Sequence, residues 1–118
     1  MLTSLDSTTV HSTPAAEMRR YPGTAVAVWR STLPPVSAGP VHTIDIEQVV
    51  VVVEGTLSAT VEGTTVAAGP GDAVLLPASA VRQLRNDGPG PVVTITSALP
   101  GSRARVGDGD PVPVPWSA

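Results

Sequence analysis

The chain has 118 residues, a net charge of −3, and no cysteine, lysine or phenylalanine. This length suits one domain, and the lack of cysteine excludes disulfides and thiolate metal sites. With no basic run and only 3% aromatic residues, the composition argues against nucleic-acid binding. The first residues lack the basic start and apolar run of a secretory signal, and no apolar run is long enough to span a bilayer. We therefore expect a cytoplasmic protein that does not contact membranes.

Residues 1–23 are predicted to form an N-terminal arm with one strand or none. Weak alternation in STTVHST favours a strand, whereas AAEMRR is compatible with a single helical turn. Pro22 and Gly23 would end such a turn, and the regular part of the sequence begins after them.

Residues 24–100 contain short apolar segments separated by turn residues, and residues 101–118 form a proline-rich tail. The tail is expected to be extended, and its Trp116 would cap the barrel mouth, dock on another subunit or be disordered. Turns are predicted at Glu62-Gly63, at Gly69-Pro70-Gly71-Asp72 and over residues 86–91. Six or more short strands without a long helix predict an all-β sandwich or barrel. The predicted strands are TAVAVWRSTL, VHTID, EQVVVVVEG, TLSATV, TTVAA, DAVLLP, AVRQLRN and VVTITSAL.

The run of five valines from Val49 to Val53 lacks the alternation of a strand with one wet face. A continuous apolar run is expected where both faces of a strand are covered. One set of valines would line the barrel interior. The other set would pack against a second layer of the chain or against another subunit.

Two groups of residues at fixed spacing stand out in residues 24–100: Gly71, Pro77 and Asn86, and before them His42, Gln48 and Gly55. With them this segment resembles a small single-domain cupin. Cupins commonly carry a glycine, five residues, Pro-any-Gly, two residues, histidine, three residues and asparagine. Here these positions are Gly71, Pro77, Ser79 for the second glycine, Arg82 for the histidine, and Asn86. The first cupin motif corresponds to His42, Thr43, Ile44, Gln48 and Gly55, with Val36 where a further glycine is expected. The resemblance implies a jelly-roll β-barrel of two antiparallel sheets, commonly dimeric, with a ligand site inside the barrel.

The resemblance places His42, Ile44, Gln48 and Arg82 where metal-dependent cupins hold their metal. Isoleucine cannot ligate a metal, and the permanently protonated arginine places a positive charge where a cation would lie. We therefore expect no cofactor; if a metal binds, His42 and Gln48 are the candidate ligands, with His11 as a possible replacement.

A buried guanidinium at Arg82 needs a partner, since its charge is costly to bury alone. One alternative is an internal bridge to Asp45 or, less easily, to Glu47. The other is a ligand carboxylate, phosphate, enolate or polarised carbonyl. His42 beside Arg82 would be held neutral and suited to act as a base, unless it is an exposed loop residue without a role.

Three functions remain open from the sequence. The first is a metal-independent isomerase or cyclase acting on a carbonyl-containing metabolite of a bacterial biosynthetic pathway. In it His42 is the catalytic acid/base, Arg82 the clamp for the developing oxyanion, and Gln48 and Ile44 contact the substrate. The second is a non-catalytic binding or sensing protein, and the third is a metal-dependent, dioxygenase-like cupin. A homodimer is expected, with a small-molecule ligand in the barrel and no nucleic-acid or membrane partner.

Overall fold

Residues 2–118, described by a computed structural model, form thirteen short strands and two single-turn 3-10 helices. The 3-10 helices are Leu5–Ser7 and Pro115–Ser117. The strands are β1 (Val10–Ser12), β2 (Glu17–Arg20), β3 (Ala27–Leu33), β4 (Ser37–Ala38), β5 (Thr43–Ile44), β6 (Gln48–Glu54), β7 (Leu57–Val61), β8 (Thr64–Ala68), β9 (Ala73–Leu76), β10 (Arg82–Asn86), β11 (Val92–Ala98), β12 (Arg103–Arg105) and β13 (Val112–Pro113). The predicted all-β class is confirmed.

The strands pair antiparallel in three sheets. A six-stranded sheet has the order β1-β2-β3-β11-β6-β9, and a four-stranded sheet has the order β4-β10-β7-β8. These two sheets are the layers of the predicted barrel. The tail contributes β12 and β13 to a third, smaller sheet of order β13-β12-β5. Strand β5 directly follows His42 in the sequence.

Two turns show why the sequence uses glycine where it does. The hairpin between β7 and β8 turns at Glu62 and Gly63, both with positive φ (49° and 80°). Positive φ at both central residues is the mark of a type I′ turn, so the predicted tight hairpin is confirmed. At Gly55, a Cβ would lie 2.5 Å from the carbonyl oxygen of Pro91, so no larger residue fits without displacement of the backbone.

Apolar side chains from both main sheets fill the barrel. The main cluster of buried residues consists of Leu33, Val50, Val52, Leu57, Ala59, Ala68, Val74, Leu76 and Val92. A second cluster lies at one end and consists of Met18, Ala27, Trp29 and Ala98, with Ala16, Ile46 and Trp116 packed against it. Trp29 is buried in this second cluster.

The valine strand has one covered and one uncovered face. Val50 and Val52 point into the core, whereas Val49 and Val51 are each 37% exposed and Val53 is 52% exposed. Within residues 2–118 no second layer covers the outward valines, so that alternative is wrong. The other cover, a second subunit, stays a prediction.

The N-terminal arm extends the six-stranded sheet. The predicted helical turn at AAEMRR is wrong, because residues 17–20 form β2 and pair with β3. Met18 is buried against Ala27 and Trp29, and this contact requires the alternation of a strand. The arm therefore contributes two strands, β1 and β2.

The tail is ordered and lies on the barrel. Ala104 and Arg105 of β12 pair with Ile44 and Thr43 of β5, and Trp116 packs against the second cluster. No helix formed by residues 2–118 has the length and apolar character needed to cross a membrane.

Candidate active site at the mouth of the barrel

His42 and Arg82 are neighbours across two chain segments. Their backbones exchange two hydrogen bonds, one from the N–H of each to the carbonyl oxygen of the other, both of 2.9 Å. Residues paired in this way project their side chains to the same face of the sheet. The pairing therefore puts both side chains on the same face, where Arg82 is buried and His42 is half-buried.

Gln48 and Ile44 complete the group. Gln48 is the first residue of β6 and lies on the same face as Val50 and Val52, where its amide oxygen Oε1 accepts a hydrogen bond of 3.2 Å from Arg82 Nη1. Ile44 is buried and forms an apolar wall two residues from His42. The structure thus brings together all four of the predicted site residues.

Arg82 is the largest fully buried side chain among the described residues, at 1% exposure. Its guanidinium donates from Nε to the carbonyl of Ala80 (2.9 Å) and from Nη2 to the carbonyl of Pro77 (2.6 Å), in addition to Gln48. All three acceptors are neutral. A guanidinium has five N–H groups, so two remain without an acceptor in residues 2–118. Burial lowers the pKa of Arg82 because the charged form loses its hydration.

The predicted internal bridge from a carboxylate to Arg82 is not formed. Asp45 instead accepts a hydrogen bond of 2.7 Å from the backbone N–H of Arg103 in the tail. Glu47 is exposed, as alternation from Gln48 predicts. The ion pairs that residues 2–118 do form are Arg19–Glu17 and Arg85–Asp87. Within this part of the chain, the positive charge of Arg82 has no carboxylate within 4.0 Å.

The loop before β10 supplies the carbonyl oxygens that hold Arg82. Ser79 in this loop has a φ of 64°, which explains why a glycine is expected at that position in the cupin motif. Its N–H donates to the carbonyl oxygen of Ile44 at 2.7 Å, so the strained turn is tied to the wall of the site. These backbone acceptors at Pro77 and Ala80 leave no signal in the side-chain pattern, and sequence reasoning missed them.

The hydrogen bond of His42 selects one tautomer of the ring. Nδ1 lies 2.8 Å from the carbonyl oxygen of Pro40. A carbonyl oxygen only accepts, so Nδ1 carries the proton of the neutral ring and Nε2 has a free lone pair. The pKa of His42 is lowered because burial outweighs the raising effect of the Pro40 hydrogen bond, and the nearby charge of Arg82 adds a smaller lowering effect. His42 therefore favours the neutral form that a general base requires.

The donor set does not fit a metal. His42 is the one imidazole in the group, the Gln48 oxygen is engaged by Arg82, and the guanidinium repels a cation. His11 lies elsewhere, with its ring centroid 6.1 Å from that of Trp116. Within residues 2–118 no three His, Cys, Asp or Glu side chains are grouped as metal ligands. For these reasons no chemical step is assigned to a metal.

Two surface clefts lie away from this site, at the N-terminal arm. One, of about 480 Å³, is open and lined by residues that include Thr8, Arg20 and Tyr21. The other, of about 180 Å³, is lined by Leu5, Glu17, Arg19, Arg30 and Thr32. Neither is lined by a predicted site residue.

Solved structures share this architecture across most of their length. A sugar phosphate isomerase of the cupin superfamily from Silicibacter pomeroyi superposes with a TM-score of 0.76 at 20% identity, covering 93% of this chain and 83% of that one. A polyketide cyclase from Streptomyces resistomycificus gives 0.72 at 16% identity, covering 84% and 78%. A cupin-2 domain protein from Rhodospirillum rubrum gives 0.78 at 13% identity, covering 91% and 80%. At these identities the likeness shows the fold alone.

Sequence comparison gives the family. No curated protein matches the chain significantly. Residues 29–98, more than half of the chain, match the family described as Cupin domain. That segment runs from the Trp29 strand to the end of β11 and contains His42, Gln48 and Arg82. The chain belongs to the cupin domain family.

Proposed function

We propose that this cupin is a metal-independent enzyme that abstracts a proton next to a carbonyl group, as an isomerase or cyclase of small metabolites. The observation that carries the proposal is the buried charge of Arg82, which has only neutral acceptors and two N–H groups to spare. Such a group favours a ligand that carries an anionic or strongly polarised oxygen.

In the proposed reaction, His42 Nε2 takes the proton from a carbon adjacent to the substrate carbonyl. The electrons of the broken C–H bond move to the carbonyl oxygen, and the resulting enolate is stabilised by the free N–H groups of Arg82. In an isomerisation, the protonated His42 returns the proton to a neighbouring carbon or oxygen. In a cyclisation, the enolate carbon attacks a second carbonyl of the same substrate, whose oxygen takes up the proton.

Gln48 has an orienting role in this scheme. Its Oε1 accepts from Arg82, so the two N–H groups of the amide face away from the guanidinium and are free to donate to a substrate oxygen. Ile44 supplies an apolar surface beside the reacting group, where a low dielectric strengthens the charge interactions.

The names of structural neighbours support this class but do not single it out. An isomerase and a cyclase are among them, and so is a salicylate 1,2-dioxygenase from Pseudaminobacter salicylatoxidans. The donor set at His42 and Gln48 disfavours the dioxygenase-like alternative. A non-catalytic binding or sensing protein is the rival that the buried charge of Arg82 supports equally well.

Proton abstraction is tested directly by hydrogen–deuterium exchange at carbon. Ribose 5-phosphate and an aromatic 1,3-diketone are incubated in D₂O with the protein and a chelator, and loss of the C–H signal is followed by ¹H NMR. We expect exchange above the protein-free rate that falls at least about 100-fold in Arg82→Met and in His42→Ala.

The controls separate the three functions. Asp45→Asn, next to the site but bonded to the tail, should retain exchange. Exchange that needs added metal would support the dioxygenase-like alternative. Shifts of the probe signals without exchange would support the binding protein, and equal exchange in the wild type and both variants would refute the mechanism.

We infer that a second copy of the chain covers the outward face of the valine strand. This face carries Val49, Val51, Val53 and Leu75, the last 55% exposed, and none of these side chains is charged. A twofold contact places the same apolar patch against itself, which requires no complementary charge. Sedimentation velocity should show a dimer that Val51→Glu dissociates. Val66→Glu, on the exposed strand β8 of the other sheet, should leave it intact.

A further inference from the structure

The tail lies across one end of the barrel, the end at which Gln48 begins β6. The pairing of Ser97 with Val49 puts Ala98 beside Gln48 in the next position of the register. Ala98 belongs to the cluster on which Trp116 packs. On the other side, Ala104 of β12 pairs with Ile44, the apolar wall of the candidate site. The tail thus borders the site on two sides.

The outer part of the tail, residues 114–118, is bonded to residues 101 and 102 of the tail itself and is held to the rest of the chain by Arg20 and by the packing of Trp116. The backbone N–H of Gly101 donates to the carbonyl of Ser117 (2.7 Å), and the hydroxyls of Ser102 and Ser117 are hydrogen-bonded and buried. Arg20 Nη2 donates to the carbonyl oxygen of Ala118 at 2.8 Å. The ring of Trp116 faces His11 of the arm. Residues 106–113 between these contacts are exposed.

At the site, Arg82 and Gln48 are closed to solvent, whereas His42 is half-buried. Arg82 is 1% exposed and Gln48 is 8% exposed, so a ligand that touches the guanidinium must first displace part of the protein. Core strands such as β6 and β11 are held by full ladders of hydrogen bonds and open only with global unfolding. A segment with few bonds and a long exposed stretch opens locally at a much smaller free-energy cost.

We propose that residues 101–118 form a lid, with Trp116 as its plug, and that outward movement of the lid gives access to Arg82. Its use in admitting a substrate rests on the proposed function. The opening itself is a property of the chain alone and is measurable without any ligand.

Access to Arg82 is measured with phenylglyoxal, a dicarbonyl compound that forms adducts with accessible guanidinium groups. Adduct formation at each arginine is followed by peptide mass spectrometry. Arg85 lies three residues away on the same strand, is partly exposed, and serves as the internal reference. In the wild type we expect Arg82 to react much more slowly than Arg85.

Substitutions in the lid or at its contact with Arg20 should change the rate of adduct formation at Arg82 and not at Arg85. Trp116→Ala removes the plug, and Arg20→Ala removes the bond to Ala118. Each should raise the Arg82 rate at least about tenfold relative to Arg85, whereas Val112→Ala at an exposed tail position should not. Amide hydrogen exchange of β6 and β11, unchanged in the same variants, shows that the rest of the barrel stays folded.

A reversible lock provides the opposite change. The chain has no cysteine, and Arg105 of β12 lies directly opposite Thr43 of β5, so Thr43→Cys with Arg105→Cys should form a single disulfide that ties the lid to the barrel. Oxidation should slow the Arg82 reaction at least about tenfold, and reduction should restore it.

Three results would overturn the lid. In the first, Arg82 reacts as fast as Arg85 in the wild type. In the second, the rate at Arg82 in the lid variants and in the oxidised double-cysteine variant equals the wild-type rate, as expected if the loop of residues 77–81 were the entrance. In the third, faster reaction in the lid variants would occur only together with faster exchange throughout β6 and β11. If the lid is confirmed and no carbon-bound proton exchanges, the proposed reaction fails while the lid remains.

Discussion

Arg82 and Asn86 begin and end the same strand, and each is 1% exposed. The Asn86 amide donates to the carbonyl oxygens of Leu33, Pro34 and Gly90, and its Oδ1 accepts from the N–H of Gly88. Every polar atom of this neutral side chain is used. Arg82 carries a charge, has no carboxylate partner within residues 2–118 and retains two free N–H groups. The comparison teaches that burial alone does not distinguish a structural polar group from a functional one, whereas the count of unused donors and charge does.

The largest effect on stability is expected at Asn86. Asn86→Ala removes the side-chain partner of the Gly88 N–H and the Gly90 carbonyl in the β10–β11 turn and of the Leu33 and Pro34 carbonyls at the end of β3, of which Pro34 still accepts from Ser37 Oγ. This should lower the free energy of unfolding by about 3 kcal/mol. Urea denaturation measures this change. Asp87→Ala, which removes only a surface ion pair with Arg85, should cost less than about 1 kcal/mol. Equal losses in the two variants would contradict a structural role for Asn86.

Arg82→Met should act in the opposite direction. It removes a desolvated charge while keeping the side-chain volume. The carbonyl of Pro77 lies in an exposed part of the loop that water can reach, whereas the buried carbonyl of Ala80 and the amide oxygen of Gln48 lose a donor. We expect a free energy of unfolding equal to that of the wild type or higher by up to about 2 kcal/mol. A loss comparable to that of Asn86→Ala would instead mean that Arg82 is a structural residue.

The pH dependence of stability should report His42. Folding lowers the pKa of this ring below its ordinary value of 6.5, so the unfolded chain takes up the proton first as the pH falls. The contribution of His42 to the free energy of unfolding is therefore complete above 6.5 and is lost as the pH falls towards the lowered pKa. Urea denaturation of the wild type and His42→Gln should differ in slope within this window. Equal slopes in the two proteins would contradict a lowered pKa of His42.

The smallest effect concerns the backbone near Asn86. Val36 has a φ of 53° and is 80% exposed, and its neighbour Ser37 pairs with Asn86. A β-branched residue is strained at positive φ, so Val36→Gly should raise the free energy of unfolding by about 0.5 kcal/mol after the entropy of glycine is included. Ser79→Gly, in the loop that holds Arg82, should give a smaller gain because serine is not β-branched. Thermal denaturation resolves both changes, and a loss in both variants would contradict strain at these turns.

Much of the fold was predictable because its signals are local. Alternation in TLSATV, with Leu57 and Ala59 buried, and the Glu62-Gly63 turn follow from residues that are neighbours in the chain. The helical turn predicted at AAEMRR was wrong because the strand there depends on the contact of Met18 with Trp29, a distant partner. The site residues were predicted by resemblance and do converge, but their partners could not be predicted. The acceptors of Arg82 are mostly backbone carbonyls, which have no side-chain signature.

The sequence by itself determined the all-β class and the turns, since these depend on short-range patterns, and the resemblance to cupins pointed to the residues of the candidate site. Only the tertiary structure decided that Asp45 bonds the tail rather than Arg82, that the outward valines lie bare, and that Trp116 packs against the barrel. Each of these outcomes depends on which distant groups meet. Whether a charged side chain such as Arg82 is neutralised depends on which carboxylates the fold brings to it and which it engages elsewhere.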